Sequence, residues 1–331
     1  MTHTVLIITD DTDVVAQRVA AELAVRGIPV VTVDTADFPR KLAMAAMIEA
    51  GADGWAGQLA GADGRQQLDL TRVGAVYWRR PTQFAMDDRM SSPEQAFAYG
   101  EARYGFGGIL IALGQSGCLW VNDPMAAMRA EYKPVQLAVA AQVGLIIPPS
   151  IITNDPQAAH TWAKERGKPI IYKPVSGVWH ADEGRIRAMY TSPVGDFDEL
   201  LNPAFARTAQ LLQEQMPKEF EARAVVVGTR VFTVRIDAST EAGKTDWRSD
   251  YDSLTYTAIG LPEDVEKGLV ALHERLGLVY GASDLLCTPS GEWVYLETNQ
   301  RGEWFWLADE TGLPIASALA DILQEGPTWT R

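Results

Sequence analysis

The sequence predicts an α/β protein in which a parallel βαβ unit stands in front of lobes of the α+β kind. Three observations predict it. An apolar run, an amphipathic stretch and a second apolar run follow one another between residues 4 and 34, the spacing of a parallel strand–helix–strand unit. Beyond residue 184 the apolar runs recur at hairpin spacing, as at 222–227 and 231–237. Near the C-terminus, residues 282–299 read as one hairpin turning at Ser290-Gly291.

Residues 4–8, Thr-Val-Leu-Ile-Ile, form a buried strand. Asp10, Asp11 and Asp13 supply N-cap candidates for a helix with Val14, Val15, Val19, Leu23 and Ala24 on one face. Gly27 stops that helix, and 29–34 is the next strand. A third strand at 75–78 runs into Arg79-Arg80-Pro81. A helix through about Gln115 and a strand at 119–121 complete the unit, which closes near residue 122. Residues 125–143 read as helical, and Pro148-Pro149 ends the pattern. A short strand, a helix to Arg166, a strand at 170–173 and a loop of small and polar residues at 175–184 follow. Strands at 185–191, 222–227, 231–237 and 254–258, a helix over Glu263–Leu276, the hairpin and a closing helix make up the rest. The chain carries no internal repeat and no low-complexity segment.

A length of 331 residues suits two or three packed units. The apolar runs at 5–8 and 145–147 are too short to span a bilayer, and acidic residues follow the first strand where a signal peptide would continue. The expected location is cytoplasmic, with no membrane partner. A net charge of −14 argues against nucleic acid, which requires clustered Lys and Arg. Any acidic substrate must then meet a local basic pocket. Two cysteines, Cys118 and Cys287, exclude a disulfide scaffold and a cysteine-rich zinc site, and both are expected as small buried hydrophobes. His3, His160, His180 and His273 have no metal-ligand spacing.

The hairpin carries the strongest chemical signal. A two-residue turn at Ser290-Gly291 pairs Pro289 with Glu292 and, counting outwards, sets Asp284 opposite Glu297. Opposed residues on one face have Cβ atoms about 4.5–5.5 Å apart, and Asn299, two residues on, shares that face. Two carboxylates and a carboxamide are hard oxygen ligands suited to magnesium shared with phosphates. The alternative is an exposed polar face with Lys or Arg pairing, but neither strand carries a Lys or Arg between Asp284 and Asn299.

No Walker A loop is present: Gly243-Lys244-Thr245 has Ala238 where the first glycine belongs. Gly105-Phe106-Gly107-Gly108 lacks the last glycine of a dinucleotide fingerprint and follows no strand. Phosphates would then be held by lysines. Lys173 ends an apolar strand, where a phosphate would offset the cost of burying an ammonium. Lys133 stands at a helix N-terminus, which also favours anions. Alone, each reads more readily as a snorkelling surface lysine; together with the hairpin the phosphate reading prevails.

In this order the features resemble the ATP-grasp superfamily, over about residues 120–310. The resemblance implies an ATP-grasp fold preceded by a pre-ATP-grasp βαβ domain, with units at 1–122, 123–212 (central lobe) and 213–331 (C-terminal lobe with the metal hairpin). It implies that Lys133 and Lys173 bind phosphates, that the backbone of Gln213-Glu214-Gln215-Met216 meets adenine, and that Glu221 holds the ribose. Arg235 resembles the catalytic arginine near the transferred phosphate, and Asp284, Glu297 and Asn299 match the magnesium ligands in type, order and spacing. Within the superfamily, YWRRP at 77–81, the pair Glu221 and Arg223, VFTVRID at 231–237 and YLETNQRGEWFWL at 295–307 resemble graspetide (microviridin-type) peptide maturases, notably the actinobacterial kind. Such enzymes use ATP and Mg²⁺ to join Asp or Glu side chains of a precursor peptide, leader plus core, to Ser or Thr as esters or to Lys as amides.

The mechanism implied is phosphorylation of a substrate carboxylate, then displacement of the acyl phosphate by a hydroxyl or amine, with Arg235 stabilising the oxyanion. A salt bridge to a strand neighbour is the plain alternative for Arg235. His180 could line the phosphate site, although a lone loop histidine reads more readily as solvated. Trp304, Phe305 and Trp306 read as core. Arg79, Arg80 and Arg223 are expected to orient substrate carboxylates, since an Arg fork grips them bidentately; pairing of Arg79 and Arg80 with acids at the domain boundary is the rival. A glutathione synthetase or ribosomal-protein glutamate ligase type of enzyme, and a non-catalytic ATP-binding module, are the other functions weighed. A homodimer is left open.

Overall fold

The computed structural model describes residues 3–62, 67–176, 179–182, 185–188, 191–240, 247 and 251–331, with side chains at 179–182, 185–188 and 251 excepted. The side chain of His180 and the Gly243-Lys244-Thr245 fragment lie outside the described residues.

Strands β1 (Thr4–Thr9) and β2 (Val30–Val33) flank the helix Val14–Val25, which Asp13 caps by accepting from Ala16 N at 3.0 Å. Further along come β3 (Leu42–Met47), β4 (Ala56–Gly61), β5 (Gln67–Asp69), β6 (Val73–Arg80), the helix Ser92–Leu113 and β7 (Leu119–Val121). A parallel sheet runs β2-β1-β6-β7. Its strands read as continuous apolar runs because both faces are covered. Val5 and Ile7 meet the helix Val14–Val25 through Val15, Val19 and Leu23. Leu6, Ile8 and Val76 meet Phe106, Ile109 and Leu110 of the helix Ser92–Leu113.

The sequence reading had no element between the second strand and residue 73; the structure has the antiparallel sheet β3-β4-β5 there. Its strands, LAMAAM and AGQLAG, lack the β-branched residues that mark strands. They are held by one inward leucine each, Leu42, Leu59 and Leu68, on the core under the parallel sheet. Gly57 is obligatory: it has φ +140°, and a Cβ there would lie 2.0 Å from the Ala45 carbonyl oxygen.

Residues 125–143, expected as one helical stretch, form two helices, Pro124–Ala130 and Lys133–Gln142. Next come β8 (Ser150–Thr153), the helix Pro156–Arg166, β9 (Ile170–Lys173), the hairpin β10 (Trp179–Asp182) and β11 (Arg185–Ala188), β12 (Ser192–Pro193) and β13 (Gln210–Glu214). The antiparallel sheet β12-β9-β13-β8 packs on the helix Pro156–Arg166 through Ala159, Ala163, Ile170 and Leu212. The remaining strands, β14 (Phe220–Val227), β15 (Arg230–Ala238), β16 (Leu254–Ile259), β17 (Tyr280–Cys287) and β18 (Trp293–Asn299), form the sheet β16-β15-β14-β17-β18. On one face, Ala224, Val226, Leu285 and Tyr295 pack with Ala140 of the helix Lys133–Gln142 and with Leu269 and Leu272 of the helix Glu263–Leu276. On the other, Val225, Val227 and Ala282 meet Ile315 and Leu319 of the helix Ile315–Glu325, which also packs against Val15 and Val19. Each such fully buried aliphatic side chain contributes roughly 1.5–3 kcal/mol. One continuous core therefore fixes the N-terminal sheet, through the helix Ile315–Glu325, to the face of the C-terminal sheet that carries Ala282. Both cysteines are buried, and burial pushes the Cys118 thiol up to about 12. Among the described residues no helix is long and apolar enough to cross a membrane.

His273 sits wholly buried in the helix Glu263–Leu276, its Nδ1–H donating to the Leu269 carbonyl at 2.8 Å. Burial depresses its pKa from 6.5 to about 4. The folded state thus refuses a proton that the unfolded chain accepts, so stability falls as pH drops from about 6.5 to about 4 and this contribution is fully lost below. At ~1.4 kcal/mol per pH unit the loss is roughly 3 kcal/mol. His273→Leu should remove that dependence: chemical denaturation across this window should show the wild type losing about 3 kcal/mol more than the variant.

Candidate active site

The hairpin β17–β18 pairs Asp284 directly with Glu297, as its sequence predicts, but not by the predicted turn. Pro289 is not paired with Glu292. Instead Gly291 N donates to the Thr288 carbonyl at 2.9 Å and the ladder begins at Cys287 opposite Trp293, one residue out of the expected register. A bulge at Leu296, between Leu285↔Tyr295 and Asp284↔Glu297, restores it. Asn299 pairs with Ala282, two residues beyond, on the face that carries both carboxylates.

Each carboxylate meets a cation from a different element. Asp284 accepts from Arg223 of β14 at 2.9 Å, both side chains nearly inaccessible. Glu297 accepts from Lys133, the first residue of its helix. Arg223 lies over the rings of Trp247 and Trp306, at 5.7 and 5.9 Å from their centroids.

Between the sheets β12-β9-β13-β8 and β16-β15-β14-β17-β18 runs a cleft. Lys173, Gln213, Glu214, Gln215, Met216, Glu221, Asp284 and Glu297 line it, together with the apolar Ile171, Leu286 and Leu296. Lys173 enters from the end of β9, opposite Leu211 of β13. The segment 213–216 leaves β13 with Gln213 buried, its Nε2 donating to Ser150 Oγ at 2.8 Å. Backbone bonds from Glu214 N to the Pro149 carbonyl and from Gln215 N to the Pro169 carbonyl fix the segment on both sides. Glu221 is paired with Lys218, which also lines the cleft. An apolar slot beside an edge of backbone suits a planar heterocycle, and the Lys173 and Asp284 end suits phosphates. Hard oxygens from Asp284, Glu297 and Asn299 on two strands fit a magnesium ion completed by phosphate oxygens.

Two arginine expectations are corrected. Arg235 pairs across the sheet with Ala222 and Thr257, out of phase with Arg223, which pairs with Asp284. Side chains alternate faces along a strand, so Arg235 projects from the face opposite Asp284. It makes the strand-neighbour salt bridge instead, with Asp237 at 2.7 Å, and lies on the ring of Phe220. Arg79, expected to reach substrate, is wholly buried: it donates to Glu303 and to the Arg301 carbonyl and forms an ion pair with Asp13. Arg80 shares Glu303 and keeps half its side chain in solvent. Arg223, the third, is engaged with Asp284.

Lys218 and Trp247 escaped the sequence reading because neither belongs to a strand-plus-ligand pattern. Only the closeness of Lys218 to Glu221, three residues on, marks it.

Residues 4–129 match the family described as the MvdD pre-ATP grasp domain. Among solved structures, the chain is similar to a RiPP-associated ATP-grasp ligase of Chryseobacterium gregarium in complex with ADP and a leader and core peptide. There the TM-score is 0.89 at 25% identity, over 99% of this chain and 98% of that one. It is similar also to macrocyclase MdnC of Microcystis aeruginosa MRC, bound with precursor peptide MdnA, with a TM-score of 0.80 at 30% identity over 96% and 98%. Macrocyclase MdnB of the same organism gives 0.77 at 27% over 97% and 99%. No curated protein matches the chain.

Glu297→Gln keeps the ladder and the side-chain volume while removing one of two opposed charges. It should retain a cooperative melt and lose roughly two orders of magnitude or more in ATP turnover. A variant that turns ATP over at the wild-type rate would remove Glu297 from the metal set.

Proposed function

The chain belongs to the ATP-grasp ligases that mature ribosomal peptides, the graspetide macrocyclases, and on that premise we propose that it closes rings within a precursor peptide. The carboxylates activated would be Asp or Glu side chains of the core, and the acceptors Ser or Thr hydroxyls, giving esters, or Lys amines, giving amides. The observation that carries this reading is the cleft itself. It gathers Lys173, the segment 213–216, Glu221 and the opposed pair Asp284 and Glu297 in a chain that superposes on MdnC over 96% of its length.

On this reading the backbone of Gln213–Met216 would meet adenine, Glu221 the ribose, and Lys133 and Lys173 the phosphates. Magnesium, held by Asp284, Glu297 and Asn299, would neutralise charge on the transferring phosphoryl group. A core carboxylate oxygen attacks the γ-phosphorus and ADP leaves. The acceptor oxygen or nitrogen then attacks the acyl carbon, phosphate departs, and the acceptor proton is lost to solvent. Arg223, rather than Arg235, is the guanidinium placed to oppose charge on the acyl phosphate and the oxyanion, since it shares the Asp284 face. Its desolvated setting makes each such contact stronger than in water. The cytoplasm, where ATP and newly made peptide meet, is the compartment this chemistry suits.

An acidic chain attracts an acidic core peptide poorly. A leader docked away from the cleft would compensate by raising the effective concentration of the reacting side chains. Arg80, half exposed, remains available to orient a core or leader carboxylate.

With the cognate precursor, ATP and Mg²⁺, the protein should release ADP and the peptide should lose one water per ring by mass spectrometry. Removing the leader should slow the reaction, and leader supplied as a separate peptide should restore part of it. ADP release that is indifferent to peptide, or as fast with free amino acids, would favour a small-substrate ligase instead.

A further inference from the structure

Three consecutive backbone carbonyls follow the carboxamide ligand Asn299, and each accepts from a side chain brought in from elsewhere. Asn122 Nδ2, just past β7, donates to the Gln300 carbonyl at 2.9 Å. Arg79 Nη1, near the end of β6, donates to the Arg301 carbonyl, and the Tyr280 hydroxyl, at the start of β17, to the Gly302 carbonyl. The N–H groups of the first two of these peptides point back at Asn299. Arg301 N donates to its Oδ1 at 2.9 Å, and Gly302 N to its backbone carbonyl at 3.1 Å. Because a peptide unit is planar, holding the Arg301 carbonyl fixes the direction of the Gly302 N–H, and through it the backbone of Asn299.

We propose that Arg79 is a positioning residue for the magnesium site, which its guanidinium, reaching from the N-terminal sheet, sets by fixing the turn that presents the Asn299 carboxamide. This rests on the reading of Asn299 as a magnesium ligand. Arg79 is wholly buried between Asp13 at 3.2 Å and Glu303 at 2.7 Å, so its charge is matched and its planar fork spans both acids and the carbonyl at once. A lysine, a point charge on a flexible stem, cannot span all three. The same turn abuts the other side of the site. A Cβ on Gly302 would lie 2.8 Å from Arg223 Nη2 and 2.5 Å from the Ala282 Cβ, so Gly302 is where the turn meets the guanidinium that holds Asp284. Groups that orient metal ligands are worth about ten- to a hundredfold in metal affinity.

The experiment compares wild type, Arg79→Lys, Asn299→Ala and Val19→Ala, the last a core truncation remote from the site. ADP is titrated calorimetrically in EDTA, Mn²⁺ binding to each ADP complex is followed by electron paramagnetic resonance, and melting temperatures are recorded. Arg79→Lys should bind ADP in EDTA as the wild type does, yet bind Mn²⁺ roughly ten- to a hundredfold more weakly, in the direction of Asn299→Ala. Val19→Ala should melt lower and keep wild-type Mn²⁺ affinity. If Arg79→Lys melts lower but keeps wild-type Mn²⁺ affinity while Asn299→Ala loses it, Arg79 only ties the N-terminal sheet down and the inference is overturned. If Asn299→Ala also keeps it, the reading of the metal site fails first. Should Arg79→Lys not fold, Glu303→Gln, which slackens the same guanidinium, is read by the same titrations: weaker Mn²⁺ binding supports the inference and unchanged binding overturns it.

Discussion

Two carboxylates set directly across an antiparallel ladder repel each other, and the C-terminal lobe is organised around that repulsion. Asp284 and Glu297 are paired backbone to backbone, so neither can withdraw without breaking the sheet. Their charges are met by cations from two other elements, Arg223 on β14 and Lys133 at the head of a helix. A site of opposed acids with cations at its rim can exchange partners. On the proposed reading, phosphates arriving with magnesium would give the lysines anions to move to and the carboxylates a metal to share. The protein thereby avoids an uncompensated buried charge in either state, which would cost several kcal/mol.

Local chemistry of this kind explains how a chain with net charge −14 can bind polyanions. Among the described residues the cleft and its rim draw Lys133, Lys173, Lys218 and Arg223 together. Screening confines a surface charge to about 8–10 Å at physiological salt. The field that a phosphate would meet in the cleft is therefore set by these neighbours rather than by the sum over the molecule.

The parallel unit was legible because its strands are buried on both faces and its helix is announced by Asp13 and closed by Gly27. Periodicity reports burial, and β1 at the centre is buried at every residue. The sheet β3-β4-β5 was not legible, because its alanines and glycines pack by backbone approach, as at Gly57, and leave no pattern of large side chains. The pairing within the hairpin β17–β18 was legible in its outcome but not in its route. A wrong turn and an unforeseen bulge at Leu296 cancel, since each shifts the register by one residue. Register is strongly specified where one face is chemically committed, and here the committed pair is Asp284 and Glu297.

The arginines show where sequence order stops being informative. Arg223, expected to orient substrate, and Arg235, expected to be catalytic, both follow an acidic or apolar strand segment; only the pairing of the strands tells their faces apart. Arg79 stands in an exposed-looking Arg-Arg-Pro at a strand end, yet its three partners lie at residues 13, 301 and 303, contacts that no local window contains. Burying a guanidinium is tolerable only when its charge is matched, and matching it with Asp13 and Glu303 goes with the N-terminal sheet being seated against the loop that leaves Asn299. The N-terminal domain is thus more than a platform beside the ATP-binding lobes. Its Arg79 completes the hydrogen bonding of a turn that the C-terminal lobe, with Tyr280 alone, holds at one carbonyl of three.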